Sequence, residues 1–460
     1  MKKMLSILLL FFAFALTSHA QRNYAQEFIN LMQQGRYFDL QDFYTNHAAD
    51  LPANDRALEL VYKSHLSQFL NMPDSAAICL EELFANHVAQ IGPAIGPFYG
   101  QLFRIYDDQQ RFKDGLSLCD KVSGYLTRNP FDLSPEFIRN EKHWLDSVRV
   151  ALTERDANEP RIKMIRTGQG NREVKLNEGR YILFNADYNG VSLPTFFDTG
   201  VTEYLLMTKS LADKIGARIV DTKQSGIAKF NEVSTQAVKG VVDKLNLGNL
   251  ELLNIPVAIL ENSLYAHLPD TLNDVDKSRV KTDLSDDQVF LGLPTMLLIG
   301  QMEVDWEKRT LSFPEDTKDI ITGKVPNMYL LGRHPYMQLK VNGLPYTGYL
   351  DCGDDGLLTM EFPFYERNRE SIQIDSTITK PPLNFYRMTG SFFNVPYEIV
   401  ENPVIYSNGR SIPTNDSRVT VVNQNWTFNP FDGTVGVQLF QRLGKKVVLD
   451  FNKMRIEGRF

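Results

Sequence analysis

The feature that most constrains the fold of this chain is a short sequence motif that occurs twice, at residues 189–200 and 342–353. Each copy begins with Asn-Gly, continues with an apolar, β-rich run, and reaches an Asp nine residues after the Asn and a Gly two residues later. Asn-Gly favours a two-residue hairpin turn, so each copy predicts a hairpin that carries one carboxylate, Asp198 or Asp351. Two carboxylates presented in the same way indicate facing half-sites that can hold one proton and one water between them, which is a hydrolytic arrangement.

The repetition continues downstream of both aspartates. About 90 residues after each Asp there is a largely apolar segment that ends at a glycine, Gly292 or Gly436. A pair of predicted strands follows, joined by an Asp-aromatic turn at Asp305 in the first copy and at Asp450 in the second. Repetition over this length predicts two duplicated lobes rather than a solenoid of short units.

On these motifs, residues 165–460 resemble the aspartic peptidases of the pepsin and retropepsin type. In that family each lobe supplies one Asp from an Asp-Thr/Ser-Gly turn, and an apolar-apolar-Gly segment packs against the turn. Residues 198–200 match the family triplet, whereas the second triplet has a cysteine, Cys352, where the family has a hydroxyl. The resemblance implies two all-β lobes of the acid-protease barrel fold, at residues 165–320 and 321–460.

The resemblance also implies a site. Asp198 and Asp351 are the expected catalytic pair, and the turns around them are expected to be supported by Thr199, Gly200, Thr202, Cys352 and Gly353. In the family the Thr or Ser hydroxyl hydrogen-bonds across the lobe junction, and because a thiol is a weaker donor, the brace at Cys352 is expected to be weaker. Two interpretations of Cys352 stay open, a small buried hydrophobe and a nucleophile, and the first is favoured.

Three further residues are candidates for contact with substrate. Gly226 lies in a polar hairpin at residues 224–233, in the position of the family's substrate-covering flap, and Gly390 occupies the equivalent segment of the second lobe. Asp355, like its neighbour Asp354, adds acidity beside Asp351, either as a substrate contact or as a like charge that raises the proton affinity of the pair. The simpler interpretations are an ordinary surface hairpin at each glycine and an acidic turn.

The region before the repeats divides into two parts. Residues 1–20 combine two lysines, an apolar run and a Ser-His-Ala cleavage site, which predicts a secretory signal peptide and a periplasmic or extracellular location. Residues 21–155 have helical periodicity, with similar helix openings at residues 36–40 and 111–116. This pattern weakly resembles a tetratricopeptide-like array of helical hairpins, and the polar residues 154–160 predict a linker. The fold class is therefore α+β multidomain.

Composition excludes several other functions. The net charge of −7 does not indicate a positively charged surface for binding nucleic acid. The longest apolar run is too short to span a membrane. Three cysteines and scattered histidines do not form a disulfide framework or a metal site, and no phosphate-binding or serine-hydrolase motif occurs. We therefore expect no cofactor and a peptide or protein substrate. The helical region is expected either to bind a protein or the peptidase domain, or to serve as a packed bundle.

The sequence thus leads to two functional hypotheses. The first is an exported aspartic endopeptidase in which Asp198 and Asp351 share a proton and activate water. The alternative is a catalytically inactive, peptide-binding protein that keeps the peptidase fold but has lost activity at the second triplet.

Overall fold

The structure is a computed structural model. It describes residues 24–47, 56–128, 133–168, 173–230, 233–261, 274–275, 277–278, 285–315, 317, 321, 323, 325–375, 383–386, 392–415, 418–422 and 431–459. The predicted signal peptide at residues 1–20 and the candidate Gly390 lie outside these ranges. The chain forms two compact units, Met1–Arg161 and Ile162–Phe460. Within the described residues, no helix combines the length and the apolar character needed to cross a membrane.

The first unit is helical where it is described. Its helices are α1 (Tyr24–Gln33), α2 (Tyr37–His47), α3 (Arg56–Phe69), α4 (Pro73–Asn86), α5 (Val88–Ile91), α6 (Gly96–Asp108), α7 (Phe112–Arg128) and α8 (Pro135–Asn158), with a 3₁₀ turn, Gly92–Ile95, before α6. The two predicted helix openings are confirmed, because α2 and α7 begin at Tyr37 and Phe112.

Three helix pairs in this unit share one type of turn. In α1–α2, α3–α4 and α6–α7, the connecting residue has a positive φ, which is 66° at Gly35, 55° at Asn71 and 54° at Gln110. The next backbone N–H then donates to the carbonyl five residues earlier, as in a Schellman motif; these bonds are Arg36 to Leu31, Met72 to Ser67 and Arg111 to Tyr106. The repeated turn is consistent with an array of helical hairpins, although the tetratricopeptide-like assignment stays a prediction.

The linker predicted at residues 154–160 is wrong for most of its length, because α8 continues to Asn158. Polar composition suggested a linker, but the charges here stabilise a helix end. Arg155 pairs with Glu159 at 2.5 Å and with Asp107 of α6, and its guanidinium lies 4.7 Å from the centre of the Phe112 ring. The division between the two units falls after Arg161.

The second unit is built mainly of strands. Its first half contains β1 (Lys163–Arg166), β2 (Val174–Lys175), β3 (Leu183–Tyr188), β4 (Val191–Asp198), β5 (Leu205–Thr208), α9 (Lys209–Lys214), β6 (Arg218–Phe230), β7 (Val233–Leu247), β8 (Leu250–Leu260), β9 (Val289–Gly292), α10 (Leu293–Ile299), β10 (Gln301–Asp305) and β11 (Thr310–Ser312). The short helix α9 follows the first Asp, and Gly216, with φ 65°, follows its C-cap.

The second half repeats much of this order. It contains β12 (Met328–Leu331), β13 (His334–Val341), β14 (Leu344–Leu350), β15 (Leu358–Glu361), α11 (Phe362–Arg367), β16 (Leu383–Tyr386), β17 (Phe392–Val395), β18 (Tyr397–Ile399), β19 (Ile405–Ser407), β20 (Arg410–Ile412), β21 (Val419–Val422), β22 (Gly433–Val435), α12 (Val437–Leu443), β23 (Lys446–Asp450) and β24 (Arg455–Arg459). The counterpart of α9 in this half is α11.

Each half forms its own curved sheet around a buried apolar interior. In the first half, the order is β1-β8-β5-β9-β4-β3-β7-β6, and pairing of β7 with β8 closes six strands into a barrel. In the second half, β21-β15-β22-β14-β13 repeats the order β8-β5-β9-β4-β3, including the parallel pairs at β4–β9 and β14–β22. There β18 pairs with β21 and β19 pairs with β13, so two short strands take the place of β7.

A third sheet joins the two halves. Its order is β2-β11-β10-β23-β24, and β10 of the first half lies antiparallel to β23 of the second. Gln301 pairs with Asp450 and Asp305 with Lys446, so the register is centred on the pair Glu303–Val448. Because equivalent positions of the two halves pair reciprocally about this centre, the duplicated halves are related by an approximate two-fold axis.

Candidate active site

The two Asn-Gly turns place the candidate aspartates. Asn189 and Gly190 have φ values of 52° and 87°, and Asn342 and Gly343 have values of 50° and 83°, as a type I′ hairpin requires. The side chain of Asn189 accepts from Lys244 N and donates to Ile215 O, both at 2.9 Å. Asn342 makes the equivalent bonds to Val404 N and Ser371 O, both at 2.9 Å. Both predicted hairpins are therefore confirmed, and each is anchored in the same way.

The hairpins bring Asp198 and Asp351 together. Asp198 ends β4 and is 6% exposed, while Asp351 directly follows β14. Each carboxylate accepts a bond from the glycine two residues later, at 2.7 Å from Gly200 N and 2.9 Å from Gly353 N. The two carboxyl groups are within hydrogen-bond reach of each other.

The glycines are required because the opposing carboxylate fills the space that a side chain would need. A Cβ atom on Gly200 would lie 2.8 Å from Asp351 Oδ1 and 3.0 Å from Asp198 Oδ1. A Cβ atom on Gly353 would lie 2.6 Å from Asp198 Oδ2. Each turn thus leaves room only for the carboxylate of the other.

Burial raises the pKa of Asp198 to about 6, although the Gly200 N–H, the neighbouring Asp351 carboxyl and the Gly353 N–H all lower it in part. Burial, the nearby Asp351 and the charge of Asp355 together raise the pKa of Asp354 to about 7, against the bond that its carboxylate accepts from Gly356 N at 2.7 Å. Asp198 and Asp354 therefore retain their protons to a higher pH than an exposed aspartate does.

The raised pKa of Asp198 predicts how stability depends on pH. A carboxyl with a higher pKa in the folded chain binds more protons there than in the unfolded chain between about pH 4 and 6, so the free energy of unfolding falls as pH rises through this window. Asp198→Asn removes that loss. The free energy of unfolding of the variant, minus that of the wild type, is expected to rise by about 1–3 kcal/mol between pH 4 and pH 7. Urea unfolding at several pH values measures it. Asp243→Asn, at an exposed aspartate, is the control, and a pH-independent difference for Asp198→Asn would contradict the prediction.

Thr199 connects the two turns. Its hydroxyl donates to Leu350 O at 2.7 Å and accepts from Cys352 N at 2.9 Å. It is therefore bonded to the residues immediately before and after Asp351. The Cys352 side chain is fully buried against Thr199, and burial raises the pKa of its thiol far above the usual range. These features favour the interpretation of Cys352 as a neutral packing group.

The apolar-Gly segments lie behind the turns, as the sequence predicts. Leu293 N donates to Val201 O at 2.9 Å, and in the second half Val437 N donates to Asp354 O at 2.8 Å. Gly292 and Gly436 repeat the pattern with Tyr204 O and Leu357 O, at 3.0 and 3.3 Å. The beginnings of α10 and α12 therefore hold the two Asp turns through equivalent backbone bonds.

The structure also reveals two arginines that the sequence reasoning missed. Arg180, from the first half, pairs with Asp355 of the second turn. Arg333, from the second half, donates to the carbonyl of Thr202 in the first turn at 3.2 Å. Each arginine follows a glycine and lies 18 residues before its own Asp, so the repeated Gly-Arg pair was the available signal.

Three other candidate residues, Thr202, Asp355 and Gly226, have the following positions in the structure. Thr202 contacts the second half through its backbone carbonyl, and Asp355 is engaged by Arg180. Gly226 pairs with Gln236 in the long hairpin β6–β7, where the register is irregular on either side of it. This hairpin agrees with the one predicted, while its function as a flap stays a prediction.

Comparisons with known proteins address part of this unit. Residues 184–295 match the family model described as aspartyl protease, a segment that includes Asp198 and ends before Asp351. A solved retropepsin-like aspartic protease from Rickettsia conorii is 20% identical, and the match covers 33% of this chain and 91% of that chain with a TM-score of 0.21. None of the curated proteins compared matches the chain. The family match supports an aspartic-peptidase-like domain around the first Asp turn, which lies within residues 184–295.

Proposed function

We propose that the second unit is a two-lobed aspartic endopeptidase, with lobes at residues 165–320 and 321–460. The observation that carries the proposal is the meeting of Asp198 and Asp351 carboxyls between two turns that share backbone bonds and glycine spacing. Neither an ordinary turn nor a lone capping aspartate needs a second carboxylate within hydrogen-bond reach. The substrate class is peptide or protein.

In the proposed mechanism, Asp198 and Asp351 hold one proton between them. The ionised carboxylate acts as general base and takes a proton from water, whose oxygen attacks the peptide carbonyl carbon. The other carboxyl donates its proton to the carbonyl oxygen, which gives a neutral tetrahedral diol. The first carboxyl, now protonated, then gives that proton to the amide nitrogen, while the second, now ionised, takes a proton from one diol hydroxyl. The C–N bond breaks, the amine and the carboxylic acid leave, and the pair again holds one proton.

The surrounding residues have supporting roles in this proposal. Thr199 fixes the spacing of the turns through its two bonds, and Gly200 and Gly353 admit the opposing carboxylates. Cys352 fills the space beside Thr199 and remains protonated. Arg180 and Arg333 link each lobe to the turn of the other, so Asp355 and Thr202 serve at the lobe junction rather than in contact with substrate.

The remaining assignments extend the proposal beyond the described site. Residues 1–20 direct export to the periplasm or beyond, and the β6–β7 hairpin around Gly226, with its counterpart around Gly390, covers bound substrate. The helical region at residues 21–155 binds a protein or the peptidase domain. No cofactor or metal is required, because both steps are proton transfers to and from carboxyl groups.

Inhibition by a statine-containing peptide tests the proposed function. Its secondary hydroxyl imitates the tetrahedral intermediate, so we expect it to bind at least about 100-fold more tightly than the matching peptide without that hydroxyl. The matched control is Asp198→Asn, which is expected to lose most of this preference. Equal affinity of the wild-type protein for both peptides would favour the inactive peptide-binding protein.

Cys352 provides a separate prediction. Cys352→Thr restores a hydroxyl that can donate across the junction more strongly than a thiol, so peptidase activity is expected to stay within about threefold of wild type or to rise. Because the thiol is fully buried, iodoacetamide is expected to leave native activity unchanged. Steady-state kinetics with and without iodoacetamide measure both effects. Loss of turnover in both Cys352→Thr and Cys352→Ser would instead indicate a nucleophilic cysteine.

A further inference from the structure

A small cavity lies in the second unit, apart from the Asp turns. Its volume is about 150 Å³, and it is lined by residues of the β19–β20 hairpin, of β24, of the end of α12 and by Gly323. β20 ends one sheet and β24 ends another, so the cavity occupies the gap between two sheet edges. Arg410 of β20 spans this gap and donates from Nη1 to Gly458 O of β24 at 3.1 Å.

Two glycines allow the walls of the cavity to approach closely. A Cβ atom on Gly323 would overlap the guanidinium of Arg455, and one on Gly458 would overlap the carbonyl oxygen of Leu443. A side chain at either position would displace the wall. The cavity therefore depends on specific backbone contacts rather than on loose packing of surface side chains.

A buried arginine faces the cavity with part of its hydrogen-bonding capacity unused. Arg455 is 5% exposed, and both Nε, at 2.8 Å, and Nη2 donate to the same Glu457 oxygen. Gly323 N donates to that oxygen as well, at 3.2 Å. The third guanidinium nitrogen, Nη1, has no partner among the described residues. One Glu457 carboxylate oxygen thus accepts all three of these bonds, and the Nη1 group of Arg455 can still donate to an occupant of the cavity.

A buried hydroxyl in the same cavity is also unpaired. Ser407 is 3% exposed, and its Oγ has no hydrogen-bond partner in the described part of the chain. A buried hydroxyl without a partner destabilises the folded state, so an occupant with acceptor atoms would remove that cost. The ionisable lining residues are Arg410, Arg455 and Glu457, which leaves one positive charge for an occupant to balance.

We propose that this cavity is a binding site for a small oxyanion, either a phosphate or a carboxylate. Arg455 Nη1 and the Ser407 hydroxyl donate to its oxygens, and Arg410 closes the open side with its free N–H groups. Guanidinium groups suit this role because they remain charged and donate in a plane that matches oxyanion geometry. The site does not depend on the proposed peptidase activity.

Thermal unfolding of the full chain with added anion tests the proposal. The probes are sodium phosphate and sodium acetate, each titrated to about 50 mM, and sodium chloride keeps the ionic strength constant. A ligand that binds only the folded state raises the Tm along a saturable curve. We expect saturation with at least one probe, and the better probe identifies the phosphate or the carboxylate as the natural class.

Variants make the test specific. Ser407→Ala and Arg410→Gln are each expected to weaken the apparent affinity by at least about tenfold, because each loses a hydrogen bond to a charged group. Arg369→Gln, at an arginine that is 57% exposed and outside the lining, is the matched control and should bind as wild type does. Ser407→Ala should also keep or raise the Tm without anion, since it removes an unpaired buried hydroxyl.

Two results would overturn the proposal. One is a Tm that rises linearly, without saturation and equally in all four proteins, which is the general effect of anions excluded from protein surfaces. The other is saturable binding that Ser407→Ala and Arg410→Gln both leave unchanged, which would place the anion elsewhere. Arg455 is left intact in these tests because its removal would also break its ion pair with Glu457.

Discussion

Asp198→Asn is expected to lower kcat/KM for peptide hydrolysis by about 10³- to 10⁴-fold, because the variant keeps the shape of the turn but cannot exchange the shared proton. Asp351→Asn is expected to have an effect of the same size, since the two carboxyls act as one unit. The double variant should be little worse than either single variant. Circular dichroism and urea unfolding confirm that each variant is folded, and steady-state kinetics with a fluorogenic peptide measure the loss.

A matched control separates the dyad from general acidity in the same turn. Asp355→Asn keeps both catalytic carboxyls and weakens the half-exposed ion pair with Arg180, so its kcat/KM is expected to stay within about tenfold of wild type. If Asp198→Asn retained activity comparable to Asp355→Asn, Asp198 would have no part in the chemistry.

The second large effect concerns stability. Gly292→Ala is expected to lower the free energy of unfolding by about 3 kcal/mol or more, because a Cβ atom there would overlap Glu203 O and lie 2.7 Å from Val201 O. Both neighbours are backbone atoms of the first Asp turn and cannot rotate away. Peptidase activity should fall as well, since relief of the overlap moves the turn that holds Asp198.

Gly124→Ala is the control for this prediction. Gly124 lies within α7, and a Cβ atom there would meet only the flexible end of Arg128 at 3.7 Å. Alanine favours a helix interior over glycine by about 1 kcal/mol, so this variant is expected to be as stable as wild type or more so. Urea unfolding monitored by tryptophan fluorescence compares the two. A change at Gly292→Ala no larger than that at Gly124→Ala would show that the contact behind the turn tolerates a side chain.

The parts of the site that the sequence predicted are those with a local signal. Asn-Gly at residues 189–190 and 342–343 dictates its own turn conformation, and the Asp that follows is carried by the strand. The glycines at residues 292 and 436 could be found because a similar spacing from the preceding Asp occurs twice. In each case, chain geometry over a few residues together with duplication was sufficient.

The parts that escaped prediction depend on contacts across long separations. The pairing of β10 with β23 joins strands about 145 residues apart, and nothing in either strand specifies its partner. Asp355 looked like a free acidic residue because its partner, Arg180, lies far away in the sequence. The linker prediction failed at Arg155 because composition does not reveal which charges pair with the helix packed alongside.

The unpaired groups of the oxyanion cavity were likewise invisible to the sequence. Ser407 and Arg455 lie in separate short strands, and neither belongs to a recognisable motif. Their significance arises only from burial and from the bonds that their neighbours have already made.

The most direct test of the central claim is digestion of a diverse peptide library by the folded wild-type protein across roughly pH 3 to 8, the range in which a shared carboxyl proton titrates. Performed in H₂¹⁸O and read by mass spectrometry, it also reports the origin of the new carboxyl oxygen. We predict internal cleavage that is strongest at mildly acidic pH, with ¹⁸O in each new carboxyl terminus, and no cleavage by Asp198→Asn. Absence of cleavage by folded wild-type protein throughout this range would contradict the peptidase and indicate a peptide-binding protein instead.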